Sequence, residues 1–254
     1  MNIKPKFLLA IICLNLFCKS LDPSASTIVS SSKVVKIDTG IANLYLVPST
    51  KTGKWILIDN GDDADEKDLI PRLKKLGVSP ENILVNIITH GHADHGGNSK
   101  FLQTKYNIPI MAGLGDKSMH ESGKNPDVLN SRGLFAILVS WFIEPKFPTF
   151  TADIYVKDPL SLESYGIEGK VVPVSSHTPG SLVVLLETKE AFVGDLIRGS
   201  LGNTHSATEH FFMDDFDKAH VELLKLVNDG YLVFYPGHWG PLDANGIKKV
   251  AKNE

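Results

Sequence analysis

The sequence predicts a layered α/β protein, and three features of the chain support this prediction. From residue 33 onward, short runs rich in β-branched and aliphatic residues alternate with stretches of helical periodicity. The run 83–89 is almost entirely aliphatic, which is typical of a strand buried on both faces of a sheet. The 254 residues are 43% hydrophobic and 22% charged, which is enough apolar material for one substantial core. We therefore expect one domain, residues 33–254, in which helices cover the faces of a sheet.

The predicted strands share an aliphatic or β-branched composition and are bounded by Gly or polar breaks. In chain order they are 34–37, 44–47, 55–58, 83–89, 108–112, 171–174, 182–186, 191–193 and 232–235. Leucines at helical spacing predict a helix over 64–76 that ends at Gly77, although Pro71 weakens its first half. A second helix is predicted within 214–228, behind two aspartates suited to capping.

Residues 113–150 are the least regular part of the sequence, and they contain the apolar run 134–143. Ten apolar residues are too few to span a membrane, so the favoured interpretation is a buried core helix. An apolar wall over an active-site cleft, or a patch that touches lipid, remains open. In the cleft interpretation, Phe135, Trp141 and Phe142 border the bound substrate.

The N-terminus has the order of a secretory leader. Two lysines precede the mostly apolar run 7–17, and polar residues follow through Ser26. We expect residues 1–26 to be a leader or lipoprotein signal, with a buried N-terminal helix as the alternative. Cys18 resembles the lipid-bearing cysteine of bacterial lipoproteins, although Phe17 stands where a small residue is usual. The expected location is therefore outside the bacterial cytoplasm, either periplasmic or membrane-anchored through a lipidated Cys18.

Charge and cysteine usage exclude two classes of site. The formal net charge is −3, so no excess of positive charge is available to neutralise a nucleic-acid backbone. The two cysteines, Cys13 and Cys18, both lie within the expected leader, which leaves the domain without a disulfide or a cysteine metal site. Any metal must be held by His, Asp or Glu.

Four potential metal ligands lie within six residues, directly after the buried strand predicted at 83–89. They are His90, His92, Asp94 and His95. An extended backbone sends alternate side chains to one side, so the first two histidines can reach one ion. The other two residues follow a turn of the chain and can face a second ion. Imidazole and carboxylate suit zinc and, in some settings, iron or manganese.

In its segment THGHADHGG, this chain resembles the metallo-β-lactamase superfamily, whose signature is His-x-His-x-Asp-His followed by isolated His, Asp and His ligands. SSHTPGS supplies His177, VGDLI supplies Asp195 and YPGHWGP supplies His238, each after a predicted strand. The resemblance extends from Val34 to Leu242. It implies a four-layer αββα sandwich and a dinuclear metal-dependent hydrolase.

The resemblance also implies two Zn²⁺ ions per chain, with iron or manganese possible in their place. The ligands of the first are His90, His92 and His177, those of the second are Asp94, His95 and His238, and Asp195 bridges the two. A hydroxide shared by the metals would attack a small ester, lactone or amide. Asp94 would also be catalytic, by orienting that hydroxide or delivering a proton to the leaving group.

The remaining polar candidates receive more modest interpretations. Asp59 ends a strand, where it either supports a ligand histidine from behind or simply forms a turn. His205 and His210 follow the bridging aspartate and could meet substrate, but solvent-exposed loop histidines are the favoured interpretation. His120 and His220 are expected to have no part in the site.

Two other functions remain open beside the hydrolase. One is an iron-dependent persulfide dioxygenase, and the other is a non-catalytic exported metal-binding protein, whose mark would be missing ligands. Glyoxalase-II-like thioesterases share the ligand set but add a C-terminal helical domain for which we expect no room after His238. True β-lactamases with two zincs tend to replace the bridging aspartate, so Asp195 argues against that activity. A compact hydrolase for a small molecule is the leading expectation.

Overall fold

The computed structural model describes residues 33–62, 68–125, 131, 136 and 146–252. The predicted leader with Cys18, and the aromatic residues Phe135, Trp141 and Phe142, lie outside the described residues. Within the described ranges, every helix is too short or too polar to cross a bilayer.

The first of two large sheets contains six strands in chain order. They are β1 (Val35–Asp38), β2 (Asn43–Pro48), β3 (Trp55–Ile58), β4 (Ile83–Ile87), β5 (Ile110–Gly113) and β6 (Ile154–Val156). The pairs β1–β2 and β2–β3 are antiparallel, whereas β3 to β6 run parallel to one another. Parallel neighbours need long connections, and these connections contain the helices and loops that surround the site.

The second large sheet also has six strands. They are β7 (Leu160–Ser161), β8 (Gly169–Pro173), β9 (Leu182–Leu186), β10 (Glu190–Gly194), β13 (Val233–Pro236) and β14 (Leu242–Asp243). Their order is β14-β13-β10-β9-β8-β7, and only β10 and β13 pair in parallel. A two-stranded ribbon joins β11 (Arg198–Gly199) to β12 (Ala207–Thr208).

Six α-helices have bounds within the described ranges, and Ala136 is also helical. They are α1 (Leu69–Lys75), α2 (Ala93–Gly96), α3 (Ser99–Tyr106), α4 (Lys117–Ser122), α5 (Phe216–Asn228) and α6 (Ala244–Ala251). Short 3₁₀ turns occur at Pro80–Asn82, Leu114–Asp116 and Glu163–Tyr165.

The central core lies between the two sheets, because alternate side chains of each strand point to opposite faces. In β2, Tyr45 and Val47 face the second sheet, while Leu44 and Leu46 face outward under the helices. The strand β9 alternates in the same way, with Val184 in the central core and its neighbours on either side in the outer one. Both faces of both sheets are therefore buried, as the continuous aliphatic runs predicted.

Helices close the two outer faces. Leu73 of α1 and Leu102 of α3 pack on the first sheet, and Leu223 of α5 and Ile247 of α6 pack on the second. The resulting order is helix, sheet, sheet, helix. The predicted α/β class and its four-layer αββα arrangement are confirmed.

Element boundaries follow the predictions with informative exceptions. The strands β3 and β9 have the predicted bounds, whereas β4 ends at Ile87, two residues earlier than predicted. The helix predicted at 64–76 is described from Leu69, and Pro71 lies in its first turn, where a missing N–H does no harm. Asp215 caps α5 by accepting from the Lys218 N–H, as its position predicted.

Candidate metal centre

Seven side chains converge at one end of the two sheets, on the loops that follow β4, β8, β10 and β13. They are His90, His92, Asp94, His95, His177, Asp195 and His238, the residues that the sequence motifs single out. Their nitrogen and oxygen atoms form overlapping groups in which all members lie within 4.8 Å of one another. The fold thus brings together residues as far apart in sequence as 90 and 238.

The first group consists of three histidines. His92 Nδ1 lies 3.1 Å from His90 Nε2 and 3.2 Å from His177 Nε2. Nitrogens that bind one zinc at about 2.0–2.1 Å are separated by roughly 3 Å, so this spacing fits a single ion. The three residues are almost fully buried, which keeps competing water away from the nitrogens.

The second group is more open to solvent. Asp94 Oδ2 lies 3.5 Å from His95 Nε2 and 3.4 Å from His238 Nε2. The Asp94 side chain is 28% exposed and that of His238 is 14% exposed, whereas His95 is fully buried. The accessible side of the centre is therefore the side of Asp94 and His238.

Asp195 lies between the two groups and contacts both. Its Oδ2 is 3.7 Å from Nε2 of His90 and 3.7 Å from Nε2 of His177. The same oxygen is 3.3 Å from His238 Nε2, and Oδ1 is 3.5 Å from His95 Nε2. This is the position that a bridging carboxylate would need.

The Nδ1 atoms of three histidines are anchored from behind, which leaves each Nε2 aimed into the centre. His95 Nδ1 contacts Asp59 Oδ2 at 2.8 Å. His177 Nδ1 donates to the Phe212 carbonyl at 2.9 Å, and His238 Nδ1 donates to a loop carbonyl at 2.7 Å. Such partners set the tautomer and the ring orientation of metal-binding histidines.

Asp59 performs both roles left open by the sequence. Its carboxylate supports His95 and also accepts from the Thr89 N–H at 2.7 Å and the Thr89 hydroxyl at 2.9 Å. Its backbone has a positive φ of 57°, which an aspartate tolerates at a tight turn. The residue therefore ties the end of β3 to the loop that begins the histidine motif.

A second buried carboxylate, which the sequence did not single out, joins two ligand loops. Asp116 accepts hydrogen bonds from the N–H of Gly91, the N–H of Gly180 and the hydroxyl of Thr178, each at 2.7 Å. Burial raises the pKa of this carboxyl to about 6, although these three donors oppose the shift. Gly91 lies between His90 and His92, so Asp116 fixes the first histidine pair relative to the loop after β8.

Electrostatics divide the centre into a neutral half and a charged half. Burial lowers the pKa of His90 and of His177 well below the usual value, so both present lone pairs at neutral pH. Burial alone would also lower the pKa of His238, but the adjacent carboxylates raise it to about 10. Burial would raise the pKa of Asp195, yet the surrounding histidines hold it well below its usual range.

The orphaned atoms indicate a cation. Among the described residues, His95 Nε2 and Asp195 Oδ1, which both face the centre, are buried without a hydrogen-bond partner. Buried polar atoms without partners are costly, and nitrogen and carboxylate donors aimed at one space suit a divalent metal. The donor set therefore fits one or two metal ions.

The interpretation of His210 as an exposed loop histidine was wrong. Its side chain is buried, and its Nε2 lies 3.2 Å from Asp195 Oδ2. His205, which lies in the turn between β11 and β12, is exposed as expected. His120 and His220 lie outside the cluster, also as expected, although both are buried.

Comparisons with known proteins bear on the family and the fold of this chain. A family model described as the metallo-beta-lactamase superfamily matches residues 37–238. Hydroxyacylglutathione hydrolase GloC of Haemophilus influenzae is 30% identical over 154 residues, which are 58% of this chain and 64% of that protein. The chain thus spans less than two thirds of that relative's length.

Solved structures show the same architecture. The BLEG-1 B3 metallo-beta-lactamase has a TM-score of 0.58 at 19% identity, covering 84% of this chain and 95% of that one. TTHA1623, solved in a di-iron-bound form, also has a TM-score of 0.58, at 22% identity, covering 83% and 94%. At these identities the likeness extends to the fold alone.

Proposed function

The chain belongs to the metallo-β-lactamase superfamily, and from that premise we propose that it is a dinuclear metal-dependent hydrolase of a small ester, lactone or amide. The observation that supports this most directly is the position of Asp195 between two groups of ligand atoms. Each ion would have three protein ligands of its own and would share Asp195 with the other ion. A water or substrate could join such an ion as a fifth ligand, as happens at catalytic rather than structural sites.

The two proposed ions are zinc, with iron or manganese as alternatives. The first would be held by His90, His92 and His177, and the second by Asp94, His95 and His238, with Asp195 shared. Metal ions in such a centre lower the pKa of water and polarise the oxygen of a carbonyl group. The chemistry available to the enzyme is thus hydrolysis at an electrophilic carbon.

Among the ligands, we assign Asp94 the role of proton carrier. Asp94 is more exposed to solvent than Asp195, the other aspartate of the centre. Its carboxylate faces His238 at the accessible side. Burial would raise the pKa of Asp94, but His95 and His238 lower it, so the carboxylate is ionised at neutral pH. An ionised carboxylate at this position can orient an attacking water and pass its proton to the leaving group.

The experiment combines elemental analysis with a substrate panel. We expect two equivalents of metal per chain and turnover of lactones or aryl esters by the loaded protein. Asp94→Ala should remove nearly all turnover, while His205→Ala, on an exposed loop, should leave it unchanged. A protein that never exceeds one equivalent of zinc, iron or manganese would refute the dinuclear assignment. Activity confined to phosphodiesters would refute the carbonyl substrate.

Thioesters form the second candidate substrate class. The relative in Haemophilus influenzae is named a hydroxyacylglutathione hydrolase, and its 30% identity favours including acyl thioesters in the panel. The panel should also contain persulfides with iron-loaded protein, because persulfide dioxygenation shares the ligand types. If the only activity found is oxygen uptake by the iron-loaded protein in the presence of persulfide, the protein is a persulfide dioxygenase and not a hydrolase.

We further propose that the enzyme acts outside the bacterial cytoplasm on a small molecule, without nucleic-acid partners. The support is the order of basic, apolar and polar residues in 1–26 and the net charge of −3. Mass spectrometry of protein from its native host tests this proposal. An intact Met1 or Asn2 terminus would contradict export, and a diacylglycerol mass on Cys18 would identify the anchored form.

A further inference from the structure

His210 lies against the metal centre although it belongs to neither group of expected ligands. The residue follows β12, and its side chain is buried. Its ring stacks on that of His238 at a centroid distance of 5.5 Å and an interplanar angle of 23°. It also meets the edge of His177, with centroids 4.9 Å apart. The ring is therefore fixed between a residue of each group.

The backbone orients His210 as it orients an expected ligand. Nδ1 of His210 contacts the carbonyl oxygen of Phe212 at 2.9 Å, and the same oxygen accepts from Nδ1 of His177, also at 2.9 Å. A carbonyl has two lone pairs and can accept both hydrogen bonds. The Phe212 N–H also donates toward Nδ1, at 3.3 Å, but the shorter contact with the carbonyl favours the tautomer with its proton on Nδ1. The lone pair of His210 is then on Nε2.

That lone pair faces another acceptor. Nε2 of His210 lies 3.2 Å from Oδ2 of Asp195, inside ordinary hydrogen-bond range. Two lone pairs at this distance, in a buried space, repel unless a cation lies next to both. Atoms of His177, Asp195 and His210 all lie within 4.8 Å of one another, which is a separation that one metal ion can span.

We propose that His210 is an eighth metal ligand, binding through Nε2 to the first ion together with His177 and Asp195. The inference rests on the dinuclear centre proposed above. It raises the number of protein ligands of the first ion to five. These are His90, His92, His177, Asp195 and His210. Five ligands and one water make six, a number that iron and manganese accept more readily than zinc, which prefers four. The centre would therefore favour an octahedral metal at that position.

Cobalt substitution tests the proposal without using activity. Metal-free protein is titrated with Co²⁺, and both the visible spectrum and the affinity in competition with a chelator are recorded. Four-coordinate cobalt absorbs much more strongly than six-coordinate cobalt. We expect wild type to show the weak bands of six-coordinate cobalt at the first site. His210→Ala should strengthen these bands and lower the affinity of one site by at least about tenfold.

Two further variants control for folding and for the loop. His210→Gln retains polarity and much of the side-chain volume, so it should fold while still altering the spectrum. His205→Ala removes an exposed histidine of the neighbouring β11–β12 turn and should match wild type. Unchanged bands and affinity in both His210 variants would overturn the proposal and leave His210 as a hydrogen-bond donor to Asp195. Cobalt binding with no hydrolysis in any assay would instead refute the hydrolase while leaving the ligand assignment standing.

Discussion

Replacing the imidazole of His120 by a phenyl ring should make the stability of the fold less sensitive to acid. His120 lies in α4, and among the described residues neither of its nitrogens has a hydrogen-bond partner. Its ring stacks on Phe150 at 4.6 Å and more loosely on Tyr155 at 6.1 Å. Burial lowers the pKa of His120 from 6.5 to about 4. The folded protein therefore keeps this ring neutral at a pH where the unfolded chain protonates it.

The sign and size of the effect follow from this difference. A histidine with a depressed pKa contributes stability above its unfolded pKa, and the contribution is lost as the pH falls toward the folded pKa. A pH of 5 lies about 1.5 units below the pKa of the ring in the unfolded chain. In the folded protein the ring is still mostly neutral at that pH. At about 1.4 kcal/mol per unit, wild type loses about 2 kcal/mol through His120 between pH 8 and pH 5. The variant His120→Phe keeps the stacking and should lose about 2 kcal/mol less over that interval.

Urea unfolding at pH 8 and at pH 5 measures the quantity directly. Any packing penalty of the larger ring is independent of pH and cancels when each variant is compared with itself. The metal-site histidines titrate equally in wild type and variant, so their contribution cancels as well. His205→Asn, which alters an exposed ring, serves as the control and should retain the wild-type pH dependence. Equal pH dependence in wild type and His120→Phe would refute the reasoning.

Three further predictions concern the supports of the metal centre. Asp59→Asn should lower metal affinity at the site of His95 by about 10–100-fold, measured by chelator competition, with a wild-type far-UV spectrum. Gly237→Ala should abolish binding at that site, because a Cβ there would overlap the Asp195 carboxylate and the His95 ring; wild-type metal content would contradict this. Asp116→Ala should destabilise the fold by at least about 2 kcal/mol in urea unfolding, since three buried donors lose their acceptor. A smaller loss would mean that water replaces the carboxylate.

The convergence of these seven side chains could be predicted from the sequence because metal chemistry restricts residue type and position together. Three histidines and an aspartate within six residues after a buried strand are typical of a metal site, and Asp195 and His238 each follow a strand as well. The layered fold was predictable for a related reason. Strands buried on both faces have continuous aliphatic sequences, and β9, Leu182–Leu186, is such a run with predicted bounds.

The helix α6 was not predicted although Asp243 caps it and it buries Ile247 and Ala251 four residues apart. Other features that were not predicted lack such a local signal. The helix α4 has the sequence KSMHES and buries only His120, so no apolar periodicity marks it. His210 stands alone in a polar loop, and nothing near it indicates contact with Asp195. Asp116 supports two loops through backbone N–H groups of residues distant in sequence, and such partners exist only after folding. Long-range contacts therefore account for most of what the sequence alone did not predict.

The supports of the metal centre also connect its geometry to the packing of the sheets. Three anchors from separate parts of the chain hold residues of the centre: Asp59 at the end of β3, Asp116 beyond β5 and the Phe212 carbonyl in the loop before α5. Each is connected to a strand or helix that packs in the core, so the ligand positions follow from that packing. We therefore expect metal binding to add stability to a fold whose core already specifies it, by an amount that grows with the logarithm of free metal concentration. In a zinc finger the chain is unfolded until the metal binds. Here we expect the chain to fold without metal.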